Sequence, residues 1–121
     1  MKEKIENVVM TKSYAFALRI IALYKFLVSD KKEFVLSKQL LRSGTAIGAL
    51  IKEGEHAQSK ADFINKMNIA LKEANETTYW LQLLKDSDFI NQKEFDSIYP
   101  QSEELLKLLV SIVKTSKKTV K

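Results

Sequence analysis

The chain has 121 residues, 45% of them hydrophobic and 29% charged, and 20 basic side chains against 15 acidic give a net charge of +5. That is enough chain for one domain with a real core, and too apolar a composition for a disordered segment. The lack of cysteine excludes disulfides, thiol catalysis and cysteine-based zinc sites, while three glycines and one proline favour long helices over a many-stranded β fold.

The first predicted helix covers about residues 11–29. Phe16, Ile20, Leu23 and Leu27 form one apolar stripe at helical spacing, and Ala17, Ile21, Tyr24 and Val28 form a second beside it. Thirteen of the fifteen residues from Tyr14 to Val28 are apolar or aromatic, interrupted only by Arg19 and Lys25. That run is too short for a bilayer, which takes about 20 residues. No small-residue cleavage site follows it, so it reads as a buried helix of a soluble protein. A helix apolar nearly all round needs cover nearly all round, and one bundle covers only part of it. A second copy is the simplest cover, which makes Ala17, Ile21, Tyr24 and Val28 the candidate oligomer interface.

The second predicted helix covers about 38–56, with Ser37 as its N-cap. Leu40, Gly44, Ile47, Ile51 and Gly54 form its stripe, and Gly44 with Gly48 suggests a neighbouring helix at close range. The third covers about 60–86. Ser59 to Asp62 looks like a capping box, and Phe63, Met67, Ala70, Ala74, Thr77, Leu81 and Leu84 keep a coiled-coil spacing. The fourth covers about 92–116, opened by a second capping box at Asn91 and Glu94. Pro100 should kink or break it, and a frayed basic tail follows at 117–121. Short connections predict an all-α, up-down-up-down antiparallel four-helix bundle in a single domain spanning 1–121.

Charge is segregated along the chain. Residues 1–60 carry 11 basic and 6 acidic side chains, 61–106 carry 4 and 9, and 107–121 carry five lysines and no acid. A solvated surface explains any single lysine. Together they suit a surface that attracts phosphate backbones, with Lys12, Lys38, Lys52, Lys114, Lys117 and Lys118 as candidate nucleic-acid contacts.

Catalytic readings find little support. Glu53 and His56 have the Glu-x-x-His spacing of di-iron bundles, but such sites need a second such pair, and His56 is the only histidine. Ser43, Thr45 and Thr77 lack a histidine base in any recognisable motif. Trp80 beside Tyr79 could stack on bases, although an aromatic pair on a bundle helix is more often core or interface. Arg42 lies beside one apolar stripe, and Glu73 and Glu76 lie beside the facing one. An unpaired charge near a core is costly, so these three are expected to form a structural polar pair.

Leu36-Ser37, Gln39-Leu40 and Arg42-Ser43, continued by Ile47, Ile51, Glu53 and Gly54, resemble the signature of the four-helix-bundle proteins of 23S rRNA intervening sequences. Ser59-Lys60, Phe63, Lys66, Ile69 to Ala74, Glu76-Thr77 and Trp80-Leu81 resemble that family's third helix. The likeness runs from about Ser13 to Thr115. It departs at Ala46, where the pattern has serine, and at Leu50, where it has asparagine, which would reduce any shared polar site. The family is similar to accessory proteins of diversity-generating retroelements, pentameric bundles whose basic surface engages reverse transcriptase and RNA. The resemblance therefore implies a homopentamer.

The resulting expectation is a non-enzymatic, cytoplasmic oligomer that binds RNA or a nucleoprotein. No cofactor, metal, membrane or small-molecule substrate is expected. The alternative is a protein-interaction or structural scaffold module without nucleic-acid contact.

Overall fold

The computed structural model describes residues 2–118, with side chains from Ile5 to Lys118. Four helices account for nearly all of them: α1 (Lys2–Ser29), α2 (Leu36–Gly54), α3 (Lys60–Asp86) and α4 (Gln92–Lys118). There is no strand among the described residues. Each helix buries one seam with alternating steps of three and four. In α1 the seam runs Val9, Ser13, Phe16, Ile20 and Leu27. In α2 it runs Ser37, Leu40, Gly44, Ile47, Ile51 and Gly54. In α3 it runs Met67, Ala70, Ala74, Thr77, Leu81 and Leu84, and in α4 Ile98, Ser102, Leu105, Leu109, Ile112 and Ser116. Such a repeat keeps one face of each helix on a shared core along its whole length.

α1 packs on α2 and α4, α3 packs on the same two, and the diagonal pairs do not touch, which makes a four-helix bundle. Ile20 lies against Gly44 and Ser13 against Gly48. Lys12 meets Glu104, Arg19 meets Ser97, Lys66 meets Glu53 and Gln82 meets Tyr99. No helix of the described residues is long and apolar enough to cross a membrane.

Several expected boundaries shift. α1 begins at Lys2 rather than near residue 11, because its seam continues through Ser13 and Val9, and a serine there hides the apolar period. α4 runs through Pro100 without interruption. Pro100 and Asp96 both face solvent, where water can satisfy the carbonyl that proline leaves free. Lys117 and Lys118, assigned to a frayed tail, belong to α4; residues 119–121 lie outside the described residues. Ser59 and Asn91 open α3 and α4 as expected: Ser59 Oγ accepts from the Asp62 amide, and Asn91 and Glu94 exchange backbone-to-side-chain bonds of 2.8 Å.

The start of α2 needs a larger correction. The helix begins at Leu36 and ends at Gly54, not 38–56, and Ser37 lies inside it, not at its cap. The capping group is Glu33, four residues upstream. Its carboxylate accepts from the amides of Val35 (3.1 Å), Leu36 (2.9 Å) and Ser37 (2.6 Å), while the Ser37 hydroxyl donates back to the Glu33 carbonyl at 2.7 Å. A carboxylate does here what a serine does at other helix starts, and it adds a negative charge at the positive end of the dipole. Burial pushes the Glu33 carboxyl up, but the amides of Leu36, Ser37 and Val35 together more than offset this and hold it below the usual carboxylate value. A lowered folded-state value stabilises the fold at all pH above the unfolded value. That contribution disappears as pH falls through the lowered one. Glu33→Gln is therefore expected to cost about 1–2 kcal/mol at neutral pH and to remove part of the acid sensitivity, read by urea unfolding at neutral and acid pH.

The glycines of α2 are not equivalent. A Cβ on Gly44 would stand 2.8 Å from Ile20 Cγ1, inside the core, whereas one on Gly48 would meet nothing closer than Ser13 Oγ at 3.4 Å. Close approach of α1 thus requires Gly44 and not Gly48. In urea unfolding, Gly44→Ala should destabilise by about 1–3 kcal/mol through overpacking. Gly48→Ala should leave stability unchanged or raise it by up to about 1 kcal/mol through helix propensity.

Candidate functional site

The densest polar constellation joins α2 to α3. Gln39 and Arg42 lie one turn apart on α2; Glu73, Glu76 and Trp80 recur at helical spacing on α3. Arg42 uses three of its nitrogens there. Nε donates to Gln39 Oε1 at 3.2 Å, Nη1 donates to Glu73 Oε1 at 3.1 Å, and Nη2 pairs with Glu76 Oε2. Trp80 Nε1 donates to the same Glu76 oxygen at 2.9 Å. Beneath this cluster Thr77 Oγ1 lies 2.8 Å from the Glu73 carbonyl and 2.9 Å from Ser43 Oγ, both hydroxyls being fully buried. Thr77 has one proton, which the carbonyl takes, so Ser43 donates to Thr77. The indole leans on the core, while its neighbour Tyr79 is exposed.

The arrangement is a clamp between two helices. Two carboxylates of one helix accept from a single guanidinium of the other, the geometry for which arginine is suited. The Arg42 side chain is 49% exposed and Glu73 and Glu76 are 20% and 35% exposed, so water screens the pair. Arg42→Ala is accordingly expected to cost about 1 kcal/mol, below the roughly 3–5 kcal/mol of a fully buried pair. A double-mutant cycle with Glu73→Gln, read by chemical unfolding, isolates the coupling.

The candidate lysines lie on three helices. Lys12 pairs with Glu104 at 3.3 Å. Lys38 is exposed in the first turn of α2 and Lys52 in its last turn, while Lys114, Lys117 and Lys118 are exposed at the end of α4. None of these five has an ion pair among the described residues. α2 and α4 are not neighbours in the bundle, so Lys52 and the α4 lysines are carried by non-adjacent helices.

Ala17, Ile21, Tyr24 and Val28 are half-buried within the protomer. Ala17 lines a groove of about 570 Å³ between α1 and α2, with Met10, Tyr14, Gly48 and Lys52 among its walls. The most exposed large apolar side chains of α1 are two that the sequence reading did not single out, Tyr14 at 69% and Leu18 at 54%. Of the two departures from the resembled pattern, Leu50 packs against the core and Ala46 is half-buried. Glu53 pairs with Lys66 at 3.2 Å, and His56 is exposed. No group of three or more metal-binding side chains occurs among the described residues.

Sequence reasoning also passed over Arg19. It donates from Nη1 to the Ser97 carbonyl (2.8 Å) and Gln101 Oε1 (2.9 Å), and from Nη2 to Ser97 Oγ (2.8 Å). Its signal was available: an arginine in the middle of an apolar run needs a partner.

The chain that builds this bundle matches a known family. The model of the 23S rRNA-intervening sequence protein matches residues 6–111, and the chain belongs to that family. It is similar to a crystal structure of a protein of unknown function from the S23 ribosomal protein family of Bacteroides thetaiotaomicron VPI-5482. That likeness has 61% identity over 94% of this chain and 99% of the other, with a TM-score of 0.89. No curated protein matches the chain.

Proposed function

We propose that this chain is a non-enzymatic, oligomeric helical bundle that binds RNA, free or within a nucleoprotein, through its basic surface. The observation that carries the reading is the set of exposed lysines that have no ion pair among the described residues: Lys52 at the end of α2 and Lys114, Lys117 and Lys118 at the end of α4. The pairing of Ser13 with Gly48, of Lys12 with Glu104 and of Lys66 with Glu53 supports an up-down-up-down antiparallel arrangement. In that arrangement the ends of α2 and α4 point the same way and collect these four lysines at one end of the bundle. Lys38 then belongs to the opposite end, and Lys12, compensated by Glu104, contributes less.

Assembly through α1 is part of the same reading. The half-covered Ala17, Ile21, Tyr24 and Val28, with exposed Tyr14 and Leu18 beyond them, make an apolar helix face of the kind that copies of a chain cover. A homopentamer is the state that the family resemblance implies. A cytoplasmic location suits a chain without cysteine.

One set of measurements tests both parts. Light scattering of the wild type should give a pentamer, and Ile21→Glu should dissociate or unfold it. RNA affinity should fall steeply with salt, by a log–log slope of roughly 0.7 per phosphate contacted on single strands. Replacing Lys114, Lys117 and Lys118 with glutamine should weaken binding and flatten that slope. A monomeric wild type would overturn assembly. RNA affinity that is undetectable at low salt would overturn the nucleic-acid reading, and a protein partner retained after nuclease treatment would favour the scaffold reading instead.

A further inference from the structure

Arg19 holds its positive charge among neutral acceptors. Ser97 occupies the end of the guanidinium through its carbonyl and hydroxyl, and Gln101 takes the other Nη1 hydrogen. The remaining edge, Nε with the second Nη2 hydrogen, has no acceptor among the described residues. That edge is a two-donor fork of the shape that receives one carboxylate side-on. Three bonds to α4 hold the fork in place, so its orientation costs little further entropy on binding.

The surroundings of the fork narrow its partner. Arg19 lines a groove of about 590 Å³ between α1 and the start of α4, whose apolar wall is made by half-buried Leu23 and Phe26 with Ile90 and Ile98 buried behind them. Lys93 adds a second cation with no ion pair among the described residues, and the groove's one carboxylate, Glu94, is held at the helix start by the Asn91 amide, so the two cations outnumber it. From Arg19 to Phe26 the groove follows α1 for about 10 Å, roughly two turns. A phosphate backbone would satisfy the cations and leave the aliphatic wall bare. A segment carrying a carboxylate within one turn of large apolar side chains satisfies both.

We propose that the α1–α4 groove docks a short acidic amphipathic segment of a partner protein, with Arg19 receiving a carboxylate side-on and Lys93 strengthening the field. This surface is separate from the lysines of the proposed RNA contact, and the proposal stands independently of that reading.

The test is a random-peptide display selection on the full chain, followed by fluorescence titration of an enriched peptide. Enriched peptides should carry Asp or Glu within one turn of Leu, Ile or Phe. Changing that acid to its amide should weaken binding about tenfold or more, the range for a charge-assisted bond. Arg19→Gln should weaken binding similarly and abolish the difference between acid and amide peptides. Lys93→Glu keeps the test open if Arg19→Gln fails to fold, since an exposed acid in the first turn of a helix does not unfold it, and this variant should also lose affinity. Enriched peptides without a carboxylate, an empty selection, or equal affinity for Lys93→Glu and the wild type would overturn the proposal. So would displacement of the peptide by inorganic phosphate, which would assign the fork to a phosphate. A change of oligomeric mass with Arg19→Gln would assign the groove to a second copy and overturn it too.

Discussion

The bundle depends on holding α2 helical from outside. All three glycines of the chain lie in this helix, which is also the shortest, at 19 residues, and it carries Ser43 and Thr45 in its middle. Each interior glycine costs about 1 kcal/mol against alanine, so α2 is a poor helix by itself and forms through tertiary contacts. Those contacts act on different parts of it. Glu33 satisfies the first amides, Ile20 fills the space that Gly44 leaves, and Arg42 ties the middle to α3 through two carboxylates. Under this pair the Ser43–Thr77 bond fixes the register of the same two helices. A slip by one residue would separate the hydroxyls and misalign Arg42 with its acids together.

The α1–α4 seam is built differently. Where α1 meets α2, an aliphatic side chain fills the place of a missing Cβ. Where α1 meets α4, Arg19 spans to Ser97 and Gln101, and Lys12 to Glu104. Polar bridges of this kind are weak in water and leave space beside them, as the groove next to Arg19 shows. The glycine-lined and arginine-lined sides of α1 therefore have different capacities. The first closes tightly only at Gly44, against Ile20, and opens into a groove beside Gly48, while the second keeps an oriented charge at the surface.

Much of the fold was legible because the three-four repeat survives in the sequence of all four helices. It failed where a hydroxyl occupies a seam position. Ser13 hides the continuation of α1 toward Val9, and Ser102, just beyond Pro100, hides the continuity of α4. These serines are small, and Ser13 bonds back to the Met10 carbonyl, so a core admits a hydroxyl that a hydropathy pattern scores as a break. The cap of α2 was misread for a related reason. Capping rules look for a side chain at the cap position, whereas the Glu33 carboxylate reaches forward from a loop in which Lys32 takes a positive φ of 55°. The acids beside the α3 seam pointed to a partner on α2, but how far water reaches that cluster depends on side-chain directions that no spacing encodes. The lysines were legible as charge and not as a surface, because their grouping depends on which helices are neighbours.

The proposed phosphate contact would compete with a second physical role of the lysines at the end of α4. Lys117 and Lys118 lie in its last turn, where the free carbonyls carry the negative end of the helix dipole. Each can gain about 0.3–1 kcal/mol there at low salt, so part of their charge serves the helix that presents them. A phosphate approaching this end would meet both the cations and the repulsion of those carbonyls. Lys52 sits in the corresponding place at the end of α2. Both sets are thus held by helix ends and screened by the same salt that weakens phosphate contacts. Loss of helix ends and loss of an anionic ligand would then follow one ionic-strength dependence. The two separate only when helix content is measured alongside binding, since glutamine at Lys117 and Lys118 removes the dipole interaction without removing helix propensity.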